Sequence, residues 1–218
     1  LVYANPPCAP WSAANTRLGL VKAIRLVDSR LAMTNRTMET GMTLRPDVFI
    51  CESVARAYTL GRTYYDAWAE RWIALGYGVT YYLTDALLHG LPSTRSRFHF
   101  IAHRDEFAID EPRRDFIPVT CAMAIGDIMD NFGHLPHHVP RRLPPSVHEA
   151  MRRCPQGELV NQFAPCEKLS FLNRKLVWEA PGFTVVDLMK FIHPLRPRYL
   201  TRRENLRLCG YPDDFEIV

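Results

Sequence analysis

Residues 47–54 read Asp-Val-Phe-Ile-Cys-Glu-Ser-Val, and this stretch decides the fold class. From Val48 to Cys51 the side chains are continuously apolar, and Pro46 precedes the segment that begins at Asp47. A continuous apolar run without alternation is typical of a strand that is buried on both faces, as parallel strands usually are. We therefore predict a buried parallel strand over residues 47–52 that ends in Glu52.

Apolar segments on either side of this run extend the pattern. Further strands are predicted over residues 1–5, 79–83 and 97–102, and the clearest helix over residues 63–75. Because strands alternate with a helix, the sequence indicates an α/β sheet with crossover helices.

The predicted helix carries one apolar stripe and signals at both ends. The stripe, which we expect to face the core, consists of Tyr64, Trp68, Trp72 and Leu75. Thr63 and Asp66 have the spacing of a capping box, and Gly76 fits the C-terminal stop.

The composition changes near residue 105, where prolines become frequent and regular periodicity weakens. This change predicts a second, irregular module over residues 105–197. Beyond it, residues 201–208 are predicted to form a short helix with Thr201 as its N-cap.

Composition bounds the class of protein. Of the 218 residues, 47% are hydrophobic and 23% charged, which excludes a disordered chain. The net charge of +4 permits a nucleic-acid partner without arguing for one. No apolar run approaches the roughly 20 residues of a membrane span, so we expect no membrane protein. The six scattered cysteines indicate reduced thiols in an intracellular protein. Because both ends are apolar, we also expect a piece of a larger protein.

Two residues follow predicted strands at the edge where α/β sheets bind ligands. Cys8 lies in a turn stiffened by Pro7 and Pro10, which makes its thiol a candidate nucleophile, with a buried structural cysteine as the alternative. Glu52 closes the next strand and is a candidate proton donor. Its alternative role is an acid that stabilises a helix N-terminus.

Two further polar groups have less specific patterns. Arg95 and Arg97 have i, i+2 spacing at a strand start, which suits a phosphate or a base carbonyl, although solvated arginine pairs are common. His134, His137 and His138 invite a metal site, but their spacing fits no standard zinc pattern. We predict a polar loop there and no metal.

Five segments, taken together and in order, resemble the DNA cytosine-5 methyltransferase family. The matching segments are Asn5-Pro6-Pro7-Cys8-Ala9-Pro10-Trp11-Ser12, similar to P-C-Q-x-F-S; Cys51-Glu52-Ser53-Val54, similar to E-N-V; residues 76–97, ending like Q-x-R-x-R; residues 193–204, similar to R-x-L-T-x-R-E; and residues 208–215, close to L-Q-G-F-P-D-D-F. Ala9, Ser53 and Ser93 depart from the family pattern, which puts rate and site choice in doubt more than the class of reaction.

The resemblance implies an α/β fold: a partial Rossmann-like S-adenosylmethionine-dependent methyltransferase sheet with a small irregular target-recognition region. Residues 1–104 would form the catalytic part, residues 105–197 the target-recognition region, and residues 198–218 a return segment to the catalytic domain. The family's glycine-rich cofactor loop is expected before Leu1. A second chain or missing segments would then supply it.

The resemblance also implies roles for single residues. Cys8 would attack C6 of a flipped-out cytosine, Glu52 would hold the N3/N4 edge, and Arg95 and Arg97 would contact the target nucleotide. The cofactor, S-adenosylmethionine, would be bordered by Asn5 and Pro7. The expected contacts with double-stranded DNA are Ser12, Arg198, Thr201 and Arg203.

Three functions remain open at this stage. The first is a DNA cytosine-5 methyltransferase, expected in the cytoplasm of a bacterial or phage-infected cell. The second is a DNA-binding or regulatory homologue without turnover. The third is a cysteine-dependent enzyme that acts on free pyrimidine nucleotides, against which the long arginine-bearing module argues.

Overall fold

The computed structural model describes residues 1–8, 10–12, 29–104, 109–110, 112–114, 116–163, 173–185 and 191–217. The chain forms two compact units, one of Leu1–Asp85 with Ser96–Arg113 and one of Ala86–Arg95 with Arg114–Val218. These units differ from the predicted segments, because residues 86–95 and the end of the chain both belong to the second unit. Among the described residues, no helix has the length and apolar character needed to cross a membrane.

A four-stranded sheet organises the first unit. Its strands are β1 (Val2–Ala4), β2 (Val48–Val54), β3 (Tyr77–Asp85) and β4 (Ser96–Arg104), in the order β1-β2-β4-β3. β1 and β2 are parallel, as predicted, whereas β4 is antiparallel to both of its neighbours. The expectation of crossover helices throughout is therefore wrong between β3 and β4, since an antiparallel pair needs no crossover.

Within the described part of the first unit, the helices are α1 (Leu31–Leu44), α2 (Arg56–Leu60) and α3 (Arg62–Ile73). α3 confirms the predicted helix, but Thr63 is not its cap, because the helix begins after Gly61 without a capping side chain. Asp66 instead accepts hydrogen bonds from Arg62 Nε at 2.9 Å and from the Tyr81 hydroxyl at 3.0 Å.

One face of the sheet forms the core of the first unit. Phe49 and Cys51 on β2 are buried together with Phe98 and Phe100 on β4, as the two-residue period of strands requires. The stripe on α3 packs here through Trp68 and Trp72. Leu75, in contrast, is 38% exposed because it lies beyond the end of the helix. The opposite face of β2 and β4 carries Glu52 and Arg97.

The described residues of the second unit form short helices and strands. Its elements are α4 (Cys121–Ile125), α5 (Pro145–Arg153), β5 (Arg174–Lys175), β6 (Phe191–Ile192) and α6 (Arg202–Leu208). Thr201 caps α6 as predicted: its hydroxyl accepts from Glu204 N at 3.1 Å, and its backbone N–H donates to Glu204 Oε2 at 2.7 Å. This reciprocal pair is a capping box.

Candidate active site

The register of β1 and β2 brings Asn5 to Glu52. Ala4, the last residue of β1, is paired with Cys51, so Asn5 leaves β1 beside Glu52. Glu52 itself lies within β2, which continues to Val54, two residues beyond the predicted end of this strand. Asn5 Nδ2 donates a hydrogen bond to Glu52 Oε2. The sequence placed Asn5 beside a cofactor, whereas the structure engages its amide nitrogen with a carboxylate.

Arg97 approaches the same carboxylate from the neighbouring strand. Val54 lies opposite Arg97 in the antiparallel β2/β4 register, which makes Arg97 and Glu52 diagonal neighbours on one face. Arg97 Nε lies 2.6 Å from Glu52 Oε1, and its Nη1 donates to the Ser96 carbonyl at 2.8 Å. Because Glu52 is only 5% exposed, the guanidinium supplies the opposite charge that a buried carboxylate requires.

The loop that carries Cys8 is fixed by Trp11. The backbone N–H groups of Trp11 and Ser12 both donate to the Cys8 carbonyl at 3.0 Å, which closes a turn. The Trp11 ring is 1% exposed and packs 5.7 Å from Tyr64 and 6.4 Å from Tyr65, measured between ring centroids. Sequence reasoning missed this anchor, although a large aromatic residue in a proline-rich loop is a usable signal.

The first turn of α3 leaves room for that anchor. A Cβ added at Gly61 would lie 3.1 Å from the Trp11 ring and 2.8 Å from the Ala57 carbonyl. Glycine is therefore needed here for close packing, and α3 contributes to positioning the Cys8 loop as well as to the core.

Cys8 differs from the other described cysteines in its surroundings. Cys51 and Cys121 are buried, and burial raises the pKa of each thiol to about 12, so both stay protonated. Cys154 is also buried. Cys8 is partly exposed in its loop, while Cys209 is exposed in the second unit. Thiolate chemistry needs access as well as charge, which favours Cys8 over the three buried thiols.

Three other predicted site residues lie outside the contact between Asn5, Glu52 and Arg97. Arg95 is exposed, precedes β4 and belongs to the second unit. Pro7 is exposed beside Cys8, and Ser12 is half-buried at the end of the Cys8 turn. The roles predicted for Arg95, Pro7 and Ser12 stay predictions.

Arg198, Thr201 and Arg203 are buried in the second unit with their side chains engaged inside it. Both Arg198 Nη atoms lie 2.7 Å from the carboxylate of Glu204. Arg203 donates to the carbonyls of Pro136, Pro212 and Phe215 at 3.0, 2.7 and 2.5 Å. A direct contact with DNA would break these bonds, so we propose a structural role for all three in place of the predicted one.

The histidine loop also has internal partners. His138 is buried, with Nδ1 2.8 Å from Thr201 Oγ1 and Nε2 2.7 Å from the Ile128 carbonyl oxygen. His137 Nε2 accepts from the backbone N–H of Ile217 at 3.0 Å. Within the described ranges, no three His, Cys, Asp or Glu side chains are grouped closely enough to hold a metal ion.

Comparison with known proteins assigns the family. The family model of the C-5 cytosine-specific DNA methylases matches residues 1–218, and the chain therefore belongs to this family. A type II methyltransferase from Neisseria gonorrhoeae, M.NgoBI, is 28% identical over 226 residues, covering 100% of this chain and 65% of the relative. M.AplI from Arthrospira platensis is 28% identical over 225 residues, covering 100% and 60%. The chain thus spans about two thirds or less of the length of these relatives.

Solved structures show the fold. A prophage-encoded protein of E. coli, described as a DNA modification methyltransferase, matches with a TM-score of 0.68 at 19% identity, over 99% of this chain and 69% of that one. The methyltransferase EhMeth of Entamoeba histolytica matches with a TM-score of 0.52 at 13% identity, over 98% and 66%. The architecture is therefore the Rossmann-like α/β fold of methyltransferases, as the sequence predicts.

Proposed function

We propose that the protein is a DNA cytosine-5 methyltransferase that uses Cys8 as its nucleophile. The observation that carries this proposal is the carboxylate of Glu52, held by Asn5 and Arg97 at the sheet edge from which the Cys8 loop departs. Family membership supports the same chemistry. The substrate is a cytosine in duplex DNA, flipped out of the helix because its C6 cannot be reached inside the base stack.

Covalent addition of a thiolate to the ring overcomes the low nucleophilicity of cytosine C5. The Cys8 thiolate adds to C6, the electron pair moves to C5, and a proton shared between Glu52 and N3 offsets the charge on the ring. Arg97 is the counter-charge of the Glu52 carboxylate, which keeps this group in place. After methyl transfer a base removes the C5 proton, and the C6–sulfur bond breaks to return Cys8 as a thiolate.

The methyl donor is S-adenosylmethionine, whose sulfonium supplies an electrophilic methyl group when bound. Of the two residues predicted to border it, Pro7 fits this role, because it is exposed next to Cys8. Asn5 fits less well, because its amide nitrogen donates to Glu52.

Covalent trapping tests the proposal. Duplex DNA that carries 2-pyrimidinone or 5-azacytosine is incubated with the full-length protein and resolved on a denaturing gel. We expect an adduct that Cys8→Ala abolishes while DNA binding is retained. Cys209→Ala is the matched control, since it removes an exposed thiol from the second unit and should leave the adduct unchanged.

Absence of any adduct with the unmodified protein would contradict the proposed mechanism and favour a DNA-binding homologue without turnover. An adduct that survives Cys8→Ala would remove Cys8 from the reaction. Transfer of labelled methyl groups to DNA, measured in parallel, distinguishes turnover from addition alone.

A further inference from the structure

The contact between Asn5 and Glu52 assigns Asn5 a role other than cofactor binding. Asn5 is exposed, yet its amide nitrogen donates to a carboxylate that is 5% exposed. Asn5 also lies three residues before Cys8, in the segment that links β1 to the Cys8 turn. One side chain therefore connects the carboxylate to the backbone of the nucleophile loop.

Asn5 and Arg97 hold different oxygens of Glu52. Asn5 Nδ2 donates to Oε2, and Arg97 Nε lies 2.6 Å from Oε1. An ionised carboxylate offers about four lone-pair positions, two on each oxygen. Asn5 and Arg97 therefore contact different oxygens of the carboxylate, one contact on each. A carboxylate held in this way can accept a hydrogen bond from the exocyclic amino group through one oxygen and share a proton with the ring nitrogen N3 through the other.

We propose that Asn5 is a positioning residue that orients Glu52 toward the N3/N4 edge of the target pyrimidine. This inference rests on the proposed function. With Asn5 in place the carboxylate cannot rotate about its terminal torsion without losing a hydrogen bond, so both oxygens stay aimed at the base. Without it, Arg97 alone holds one oxygen, and the second oxygen can turn away from the exocyclic amino group.

Two trapping probes separate this role from general damage to the loop. 5-Azacytosine carries the exocyclic N4 amino group, whereas 2-pyrimidinone has a hydrogen at C4. In Asn5→Ala, we expect trapping of 5-azacytosine DNA to slow by roughly 10- to 100-fold, as for a misplaced catalytic group. Trapping of 2-pyrimidinone DNA should slow much less, because the lost contact involves a group that this probe lacks.

Conservative variants test the chemistry of the contact. Asn5→Gln keeps an amide donor and should restore part of the 5-azacytosine rate. Asn5→Asp has the same shape but cannot donate when ionised, and it faces the Glu52 carboxylate. We expect it to be at least as slow as Asn5→Ala. The affinity for S-adenosylmethionine should stay within about threefold of the unmodified protein in all three variants, which is within a modest change of binding energy.

The outcomes are distinguishable. If the unmodified protein traps neither probe, the proposed function fails, and the role of Asn5 fails with it. If the unmodified protein traps both and Asn5→Ala slows both equally, or slows neither, the proposed function stands and the positioning role is overturned. A large loss of S-adenosylmethionine affinity in Asn5→Ala would also overturn it, in favour of the cofactor contact predicted from the sequence.

Discussion

Each of the two units contains a buried carboxylate held by an arginine, and the two differ in what else contacts the carboxylate. Glu52 is 5% exposed and is contacted by Arg97 and by the exposed amide of Asn5. Glu204 is fully buried and receives both Arg198 Nη atoms and the backbone N–H of Thr201. The first carboxylate lies beside exposed loop residues, and the second is enclosed by its own unit.

This difference distinguishes a candidate active site, at Glu52, from a structural ion pair, at Glu204. Glu204 completes the capping box of α6, and Arg198 also donates to the Met129 carbonyl at 2.8 Å, so the pair links several segments. Glu52 lies next to a strand end, where the chain leaves the sheet with Asn5 and continues to Cys8. An acid–arginine pair is therefore a candidate ligand site only where exposed residues lie beside it.

The largest expected effect is a loss of stability when the arginine of the Arg198–Glu204 pair is removed. In Arg198→Met the Glu204 carboxylate keeps its burial and loses its counter-charge, which costs about 3–5 kcal/mol of unfolding free energy. Urea denaturation measures this loss. The control is Arg196→Met, because the side chains of the Arg196–Asp130 pair are 41% and 55% exposed, so water screens the pair and this variant should lose far less stability. Equal losses in the two variants would contradict the structural role of Arg198.

The next-largest expected effect is on methyl transfer and concerns the Arg97–Glu52 pair. Arg97→Ala removes the counter-charge of Glu52, and we expect methyl transfer to fall by roughly 100-fold, the lower end of what general acid–base groups contribute. DNA affinity should change far less, because the Arg97 side chain is only 19% exposed and contacts Glu52. Arg104→Ala is the control on the same strand, where an exposed arginine pairs with Asp47. Turnover that Arg97→Ala leaves unchanged would remove Arg97 from the site.

Packing of the Cys8 loop gives a third test. Gly61→Ala places a Cβ against the Trp11 ring, and overpacking of a well-packed core costs about 1–3 kcal/mol. We expect this loss in urea denaturation together with slower trapping, since Trp11 anchors the Cys8 turn. Gly133→Ala is unsuitable as a control, because Gly133 has a φ of +86° and an alanine there would add backbone strain. Thr63→Ala, on the exposed side of α3, is the suitable one.

The smallest effect is a pH dependence near the enclosed carboxylate. Burial lowers the pKa of His193 to about 4; Glu204 opposes this shift, and Arg198 and Arg196 add to it. Nε2 lies 3.7 Å from Glu204 Oε1, and Nδ1 accepts from Leu195 N at 3.1 Å. Because the pKa is lower in the folded protein, the imidazole of the unfolded chain takes up a proton at a higher pH than that of the folded protein. The contribution of His193 to the unfolding free energy is therefore fully present above about pH 6.5 and is lost as the pH falls to about 4.

His193→Gln removes this titration. Relative to the variant, the unmodified protein should lose about 2 kcal/mol of unfolding free energy between pH 7.5 and pH 5. His148→Gln is the control, because His148 is exposed on α5. A difference that does not change with pH would show that His193 is not held neutral by burial.

Local patterns in the sequence predicted the parts of the fold that depend on neighbouring residues. The strand over residues 47–52, the helix α3 and the Thr201 cap follow from apolar runs, helical spacing and capping chemistry within a few positions. The antiparallel direction of β4 could not be predicted in this way, because strand direction is set by pairing between distant segments.

The candidate site shows the same limit. Cys8, Glu52 and Arg97 were selected from their positions at predicted strand ends and from family motifs. The Asn5–Glu52 bond required the β1/β2 register, and the burial of Arg198 and Arg203 required contacts with residues more than 60 positions away, such as Met129 and Pro136. The sequence alone therefore cannot distinguish an arginine that contacts DNA from an arginine that is buried and stabilises the fold.

Glu52 is expected to contact a ligand, whereas Glu204 stabilises the fold. The most direct measurement is the trapping rate per folded molecule for Glu52→Gln and Glu204→Gln, with the folded fraction taken from urea denaturation. We predict that Glu52→Gln traps 5-azacytosine DNA at least about 100-fold more slowly. It should lose less stability than Glu204→Gln, because the Arg97 side chain is 19% exposed and keeps partial access to water. Glu204→Gln should be destabilised, yet its folded molecules should trap at the rate of the unmodified protein. Normal trapping by Glu52→Gln would contradict the role of Glu52 in the site. Loss of trapping by folded Glu204→Gln would contradict a purely structural role of Glu204.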